Sequence, residues 1–93
     1  MVVGVARWEL ILAGCHSLKD KRRVVSSLKA RLYQRCHVSA AEVDHQEAWQ
    51  RAAIAAAVVS PDLGHAQEVL TACERLVEGE PQALIASRET AWH

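Results

Sequence analysis

The chain has 93 residues, 51% of them hydrophobic and 24% charged, with four Gly and two Pro, which is globular usage with room for one domain and excludes a disordered chain. The formal net charge is zero, and the longest charge-free stretch, Ala52 to Pro61, is ten residues, about half of the ~20 needed to span a bilayer. The apolar opening carries Arg7 and Glu9 and lacks a basic leader, so a cytoplasmic protein is expected, and three Cys imply no disulfide framework there.

Val2 to Leu12 alternates, with Trp8, Leu10 and Leu12 on one face and Val3, Val5, Arg7 and Glu9 on the other, the period of two of a half-buried strand. Ala13 to His16 is a short connection. Ser17 followed by Asp20 reads as a helix N-cap with an acidic third position. Leu18, Val25, Leu28 and Leu32 then form one stripe at helical spacing, with Cys36 returning to it, so a helix is expected as far as Arg35. His37 to Asp44 predicts a short strand and Asp44 to Gln50 a polar loop. Ala52 to Val59 predicts an apolar strand buried on both faces. Ser60, Pro61 and Asp62 supply the N-cap region of a second helix, with Pro61 in its first turn, and Gly79 and Pro81 close it. Its stripe is Ala66, Val69, Leu70, Cys73, Leu76 and Val77, and Glu68, Glu74 and Glu78 lie outside. Leu84 to Thr90 alternates again as a last strand.

The order β-α-β-β-α-β with two amphipathic helices predicts an α+β ferredoxin-like sandwich, a four-stranded antiparallel sheet with both helices on one face. The partly apolar open face of that sheet points to association, with a homodimer as one solution.

The zero net charge conceals a segregation. Between His16 and His37 lie Lys19, Lys21, Arg22, Arg23, Lys29, Arg31 and Arg35 against Asp20 alone, a balance of +6, and the remainder of the chain carries −6. Lys19, Lys21, Arg22 and Arg23 fall in the first turns of the helix, where free N–H groups and the helix dipole already favour an anion. Four cations there suit a polyanion, and Arg51 is a further candidate contact. Lys21 lies near the apolar stripe by angle, so its stem is expected to pack while its amine reaches water. The competing reading pairs the basic helix with the acidic outer face of the second helix, in rim salt bridges of little individual worth.

The segments Ser17-Leu18-Lys19-Asp20-Lys21-Arg22-Arg23-Val24-Val25, Val38-Ser39-Ala40-Ala41-Glu42-Val43-Asp44 and Trp49-Gln50-Arg51-Ala52 together resemble a bacterial family of small proteins, domain of unknown function 503, or YlxP-like. The resemblance takes in the opening Met1 to Val5 and Val58-Val59-Ser60 as well, so it covers nearly the whole chain. It implies a ferredoxin-like fold and no assigned activity. Genes of the family often lie between those for translation initiation factor two and ribosome-binding factor A, which implies a setting in translation or ribosome assembly. The chain departs from the family pattern at Cys15-His16 and at Asp44-His45-Gln46-Glu47.

The other chemistry-bearing residues argue against an enzyme. Among the aromatics, Trp8 is expected in the core, Tyr33 on a helix and Trp92 at a frayed end, so a base-stacking platform is not predicted. Trp49 is expected to close the edge of a core, or to pair with Arg51. Cys15-His16 and Cys36-His37 sit about 28 Å apart at opposite ends of the helix, and tight zinc-ligand spacings are missing, so no metal is expected. Cys15 ahead of a helix among cations would be reactive if its pKa were lowered, but no orienting His and acid accompany it. Cys36 and Cys73 fall on apolar stripes and read as core residues. The Gly are scattered, with no phosphate loop, and no cofactor or small-molecule substrate is indicated. The sequence therefore predicts a non-enzymatic binding module for ribosomal RNA or a ribosomal subunit through Lys19, Lys21, Arg22, Arg23 and Arg51, or else a homodimer whose basic helix is internally paired.

Overall fold

The structure, a computed structural model, describes residues 1–93. Its elements are β1 (Val2–Ile11), α1 (Leu18–Arg31), β2 (Ser39–Asp44), β3 (Arg51–Ser60), α2 (Leu63–Glu78) and β4 (Leu84–Trp92), and α1 runs on through one π turn, Leu32–Cys36. The strands form one antiparallel sheet in the order β2-β3-β1-β4, the ferredoxin-like α+β arrangement. No helix is long and apolar enough to cross a membrane.

Local chemistry sets the element ends. Ser17 is extended and its Oγ accepts the Asp20 N–H at 3.1 Å, and Asp62 does the same for the His65 N–H at 2.8 Å, so each helix starts on a side-chain cap. The basic helix stops where His37 enters the left-handed region at φ 56° and returns its N–H to the Tyr33 carbonyl, a position that glycine usually occupies.

Strand pairing decides which residues face the helices. β1 and β3 are in register from Val2 opposite Ser60 to Ile11 opposite Arg51. This pairing places Ala6, Trp8 and Leu10 beside Ala56, Ile54 and Ala52 on the inner face, and all six are buried. Val24, Val25, Leu28 and Leu32 from α1 and Ala66, Leu70, Cys73 and Val77 from α2 close over them as one core. The Trp92 ring lies over the one position of β1 without a side chain: a Cβ on Gly4 would stand 2.6 Å from its Cζ3. Trp92 is thus part of β4 and 39% exposed rather than frayed, because its strand continues two residues past the predicted end.

The outer face of the sheet departs from the expectation that β3 is buried on both sides. Ala53 is buried and Ala55 and Ala57 are half-buried, but Val59 is 66% exposed, since no layer covers this face of the chain.

Candidate functional site

The basic segment divides by the geometry of α1. Buried positions recur at Lys21, Val24, Val25 and Leu28, so the opposite surface carries Lys19, Arg22 and Arg23 in the first turns, then Ser26, Ser27 and Ala30, then Tyr33. Lys19, Arg22, Arg23 and Arg35 are exposed and have no ion-pair partner, and the half-buried Lys29 has none either.

Lys21 is a correction. It is only 2% exposed, and its amine does not reach water: Nζ stands 2.7 Å from Glu42 Oε2 and donates to the His45 carbonyl oxygen. Glu42 pairs across the sheet with Ile54, which turns its side chain to the helix-bearing face under the start of α1. The 2.7 Å contact is one of charge rather than a well-directed hydrogen bond, and Oε2 has no other partner. Sequence spacing identified Lys21 as close to the stripe, but the carboxylate that draws it inward lies 21 residues away and became a neighbour only through folding.

The expected pairing of the two helices is also corrected. Of the α1 cations only Lys21 and Arg31 are paired, Lys21 to β2 and Arg31 to Glu80 in the turn beyond α2. On α2, Glu74 binds Arg88 of β4 at 3.0 Å and accepts the Trp8 Nε1–H at 3.2 Å, and Glu68 and Glu78 form no ion pair. The acidic helix therefore does not neutralise the basic one.

Arg51 is exposed at the start of β3, and the neighbouring Gln50 donates to the carbonyls of Ala13 and Cys15, which ties this end of the sheet to the approach to α1. Arg51 is paired with Ile11 on the open face, so it shares an end of the molecule with Lys19, Arg22 and Arg23 but not a face of the sheet. Trp49, 53% exposed, does not close a core edge, since it is not among the hydrophobic side chains packed against the core.

Cys15 is buried at 2% exposure, and burial, reinforced by the charge of Asp20, pushes its thiol up rather than down. At neutral pH it stays protonated, which removes the reactive-thiol reading that its place before the helix had left open.

A second charged group, not anticipated from sequence, occupies the open face. Arg7 lies 2.8 Å from Glu9 and 3.6 Å from Asp44, and His45 reaches Glu9 at 3.0 Å through Nε2. The Arg7 hydrogen bond, with help from His45, holds the Glu9 carboxyl below the ordinary range; the His45 backbone N–H is the main cause for Asp44. The signal in the sequence was the alternation placing Arg7 and Glu9 together, but Asp44 and His45 arrive through the register shift between Glu42 and Asp44.

The lowered carboxyls make a pH prediction. Both groups bind protons less readily when folded, so their stabilisation is complete above the unfolded values of 4.5 and 3.8 and is lost as pH falls through the lower folded values. Melting temperature measured from about pH 6 to about pH 2 should therefore fall more steeply for the native protein than for Glu9→Gln/Asp44→Asn. Parallel curves would show that the cluster contributes nothing in acid.

A family model described as protein of unknown function (DUF503) matches residues 3–90. The uncharacterized protein YlxP of Bacillus subtilis (strain 168) is 28% identical over 91 residues, covering 98% of this chain and 99% of that protein. Among solved structures, SnoaB, a cofactor-independent oxygenase from Streptomyces nogalater, superposes with a TM-score of 0.53 at 8% identity, over 99% of this chain and 90% of that one. The de novo designed protein Foldit4 gives 0.54 at 10% identity, over 100% and 97%. At these identities the two structures share the fold and nothing further.

Proposed function

The chain belongs to the DUF503 family, and for this member we propose a non-enzymatic binding protein that docks on the phosphate backbone of RNA, with a ribosomal subunit as its partner, through Lys19, Arg22 and Arg23. One observation carries the reading: three cations crowd the first turns of α1, exposed and without acidic partners, where the helix dipole disfavours them. An intramolecular role would have given them carboxylates, as it did Lys21 and Arg31. The small exposed side chains Ser26, Ser27 and Ala30 next along the same surface let a backbone approach the helix closely. The family's gene setting beside translation and ribosome-assembly factors supports a ribosomal partner. Arg51 serves as an outlying contact at the same end, and Lys21 is an internal anchor.

The open face carries no exposed aromatic platform, and its centre is the Arg7, Glu9, Asp44 and His45 cluster, so binding is directed by charge and shape rather than by base stacking. Three phosphate contacts give a slope of about −2 to −3 in log affinity against log salt. Equilibrium binding of ribosomal RNA across a salt series should return that slope for the native protein and a nearly flat, weak response for Lys19→Glu/Arg22→Glu/Arg23→Glu. An unchanged slope in the variant would refute the assignment.

Self-association through the open sheet face is the second reading, favoured by Val59, 66% exposed, beside the half-buried Val3, Val5 and Ala57. Light scattering would show twice the monomer mass, and Val59→Glu would return it to one.

A further inference from the structure

The basic turns of α1 border a cleft. Its walls are the connection from β1 to α1 at Gly14 and Cys15, the flank of α1 at Asp20, Arg23 and Ser27, and the turn from α2 to β4 at Glu80 and Gln82. The cavity measures about 330 Å³. That is the small end of the range of about 300–1,000 Å³ for ligand pockets and suits one flat ring system rather than a length of chain. Cys15 and Val24, both buried, add apolar surface to a lining that is otherwise mostly polar.

Two opposite charges line this cleft without meeting. Asp20 and Arg23 are three residues apart on α1, a spacing at which such side chains are neighbours, yet they form no ion pair. The hydrogen bond to the Asp20 carboxylate, at 3.0 Å, runs from the His16 N–H to Oδ2 and leaves Oδ1 free. Glu80, the other carboxylate, is fully engaged: Oε1 accepts the Gln82 N–H at 3.1 Å and Oε2 is paired with Arg31. A ligand entering the cleft therefore meets one free carboxylate oxygen and one free guanidinium, together with the Ser27 hydroxyl and the Gln82 side-chain amide.

Among the RNA bases guanine alone complements both groups in pairs, offering N1–H and N2–H donors on one edge and O6 and N7 acceptors on the next. Adenine and cytosine offer a carboxylate only their exocyclic amine, and uracil only one ring N–H. Both guanine edges are open only where the nucleotide is unpaired.

We infer that the cleft between Asp20 and Arg23 holds one unpaired guanosine of the RNA that docks on α1, its N1–H and N2–H donated to Asp20 and its O6 and N7 accepting from Arg23. The inference rests on the RNA reading given above and adds a base preference to it. Arg23 serves both surfaces, because a bidentate contact to the base uses two of its five N–H groups and leaves three for a phosphate.

The test measures fluorescence anisotropy of the native protein with short unstructured RNAs that differ only in one central base. The guanosine RNA should bind about tenfold more tightly than its adenosine, cytidine and uridine counterparts. Inosine, which lacks the N2 amine, and 7-deazaguanosine, which lacks N7, should each lose most of that advantage when placed at the same position. Asp20→Asn keeps an oxygen for the His16 N–H and should bind the four RNAs within about twofold of one another, with the native circular dichroism spectrum. Lys19→Glu/Arg22→Glu should weaken all four alike and keep the preference for guanosine. Equal affinity of the native protein for all four RNAs, or inosine bound as tightly as guanosine, would overturn the guanosine site while leaving the docking of RNA on α1 intact. Binding of none of them would overturn both.

Discussion

Replacing Lys21 by Ala is expected to destabilise the protein by about 3–5 kcal/mol, the cost of leaving a partly buried charge without its partner. Lys21 is 2% exposed and stands 2.7 Å from Glu42 Oε2, whose side chain is 19% exposed and has no other partner for that oxygen. The substitution also frees the His45 carbonyl, which the Lys21 amine holds while His45 occupies the left-handed region at φ 62°. The loop between β2 and β3 should loosen with it. A domain of this size has a total stability of roughly 5–14 kcal/mol, so a large share of the fold's margin is at stake. The compensated variant Lys21→Met/Glu42→Leu should recover most of that loss, because it removes both desolvation costs at once and gives up only the hydrogen bond to the His45 carbonyl. Urea unfolding measures all three proteins. A loss below about 1 kcal/mol for Lys21→Ala would mean that water screens the pair like one at the surface.

Trp8→Ala should cost about as much, roughly 3–5 kcal/mol, by a different route. Trp8 is 1% exposed at the centre of β1, opposite Ile54 and Arg88 and under α2, so its removal leaves a void that strands paired on both sides cannot close. Its Nε1–H also donates to Glu74, which binds Arg88, so the same ring joins α2 to β4 through one carboxylate. Trp8→Phe separates the two contributions. It keeps most of the volume and should lose only about 1 kcal/mol for the hydrogen bond and the smaller ring. Thermal unfolding should place the Ala variant some 15–30 °C below the native protein, and the Phe variant within about 8 °C of it. Equal losses for both would assign the stabilisation to the Glu74 bridge rather than to packing.

These two residues show what could be read before folding and what could not. Trp8 declared itself, because alternation with Leu10 and Leu12 assigns a face without reference to any other segment. Ser17 likewise acts over three residues and α1 begins on it as predicted, whereas α2 begins on Asp62, the last residue of its predicted cap region, so Pro61 lies outside the helix rather than in its first turn. The four-stranded antiparallel sheet with two helices followed from the element order β-α-β-β-α-β alone. Lys21 could not be placed in the same way. Its environment depends on Glu42 facing inward, and that depends on the pairing of β2 with β3 and on a register shift two residues later. The π turn at Leu32–Cys36 was hidden for a related reason: the apolar stripe continues through it, while the extra residue per turn leaves no mark on composition. Trp92 looked dispensable at a chain end, yet its place was reserved by Gly4, 88 positions earlier, which leaves room for the ring. The candidate site was legible as a charge segregation, and its membership was not. Separation of Lys19, Arg22 and Arg23 from Lys21 required knowing which carboxylates fold up beside them.

The same separation gives the functional account its sharpest test, because a sum of charges treats all four residues alike and the structure does not. Co-sedimentation with small and large ribosomal subunits, across a salt series, would compare three proteins: native, Lys19→Glu/Arg22→Glu/Arg23→Glu, and Lys21→Met/Glu42→Leu. The account predicts that the native protein pellets with a subunit at low salt and is released as salt rises. The charge-reversed variant should stay in the supernatant throughout, and the Lys21 and Glu42 variant should pellet like the native protein. A native protein that remains in the supernatant at low salt, or a charge-reversed variant that pellets with it, would contradict the assignment of α1 as the RNA-binding surface.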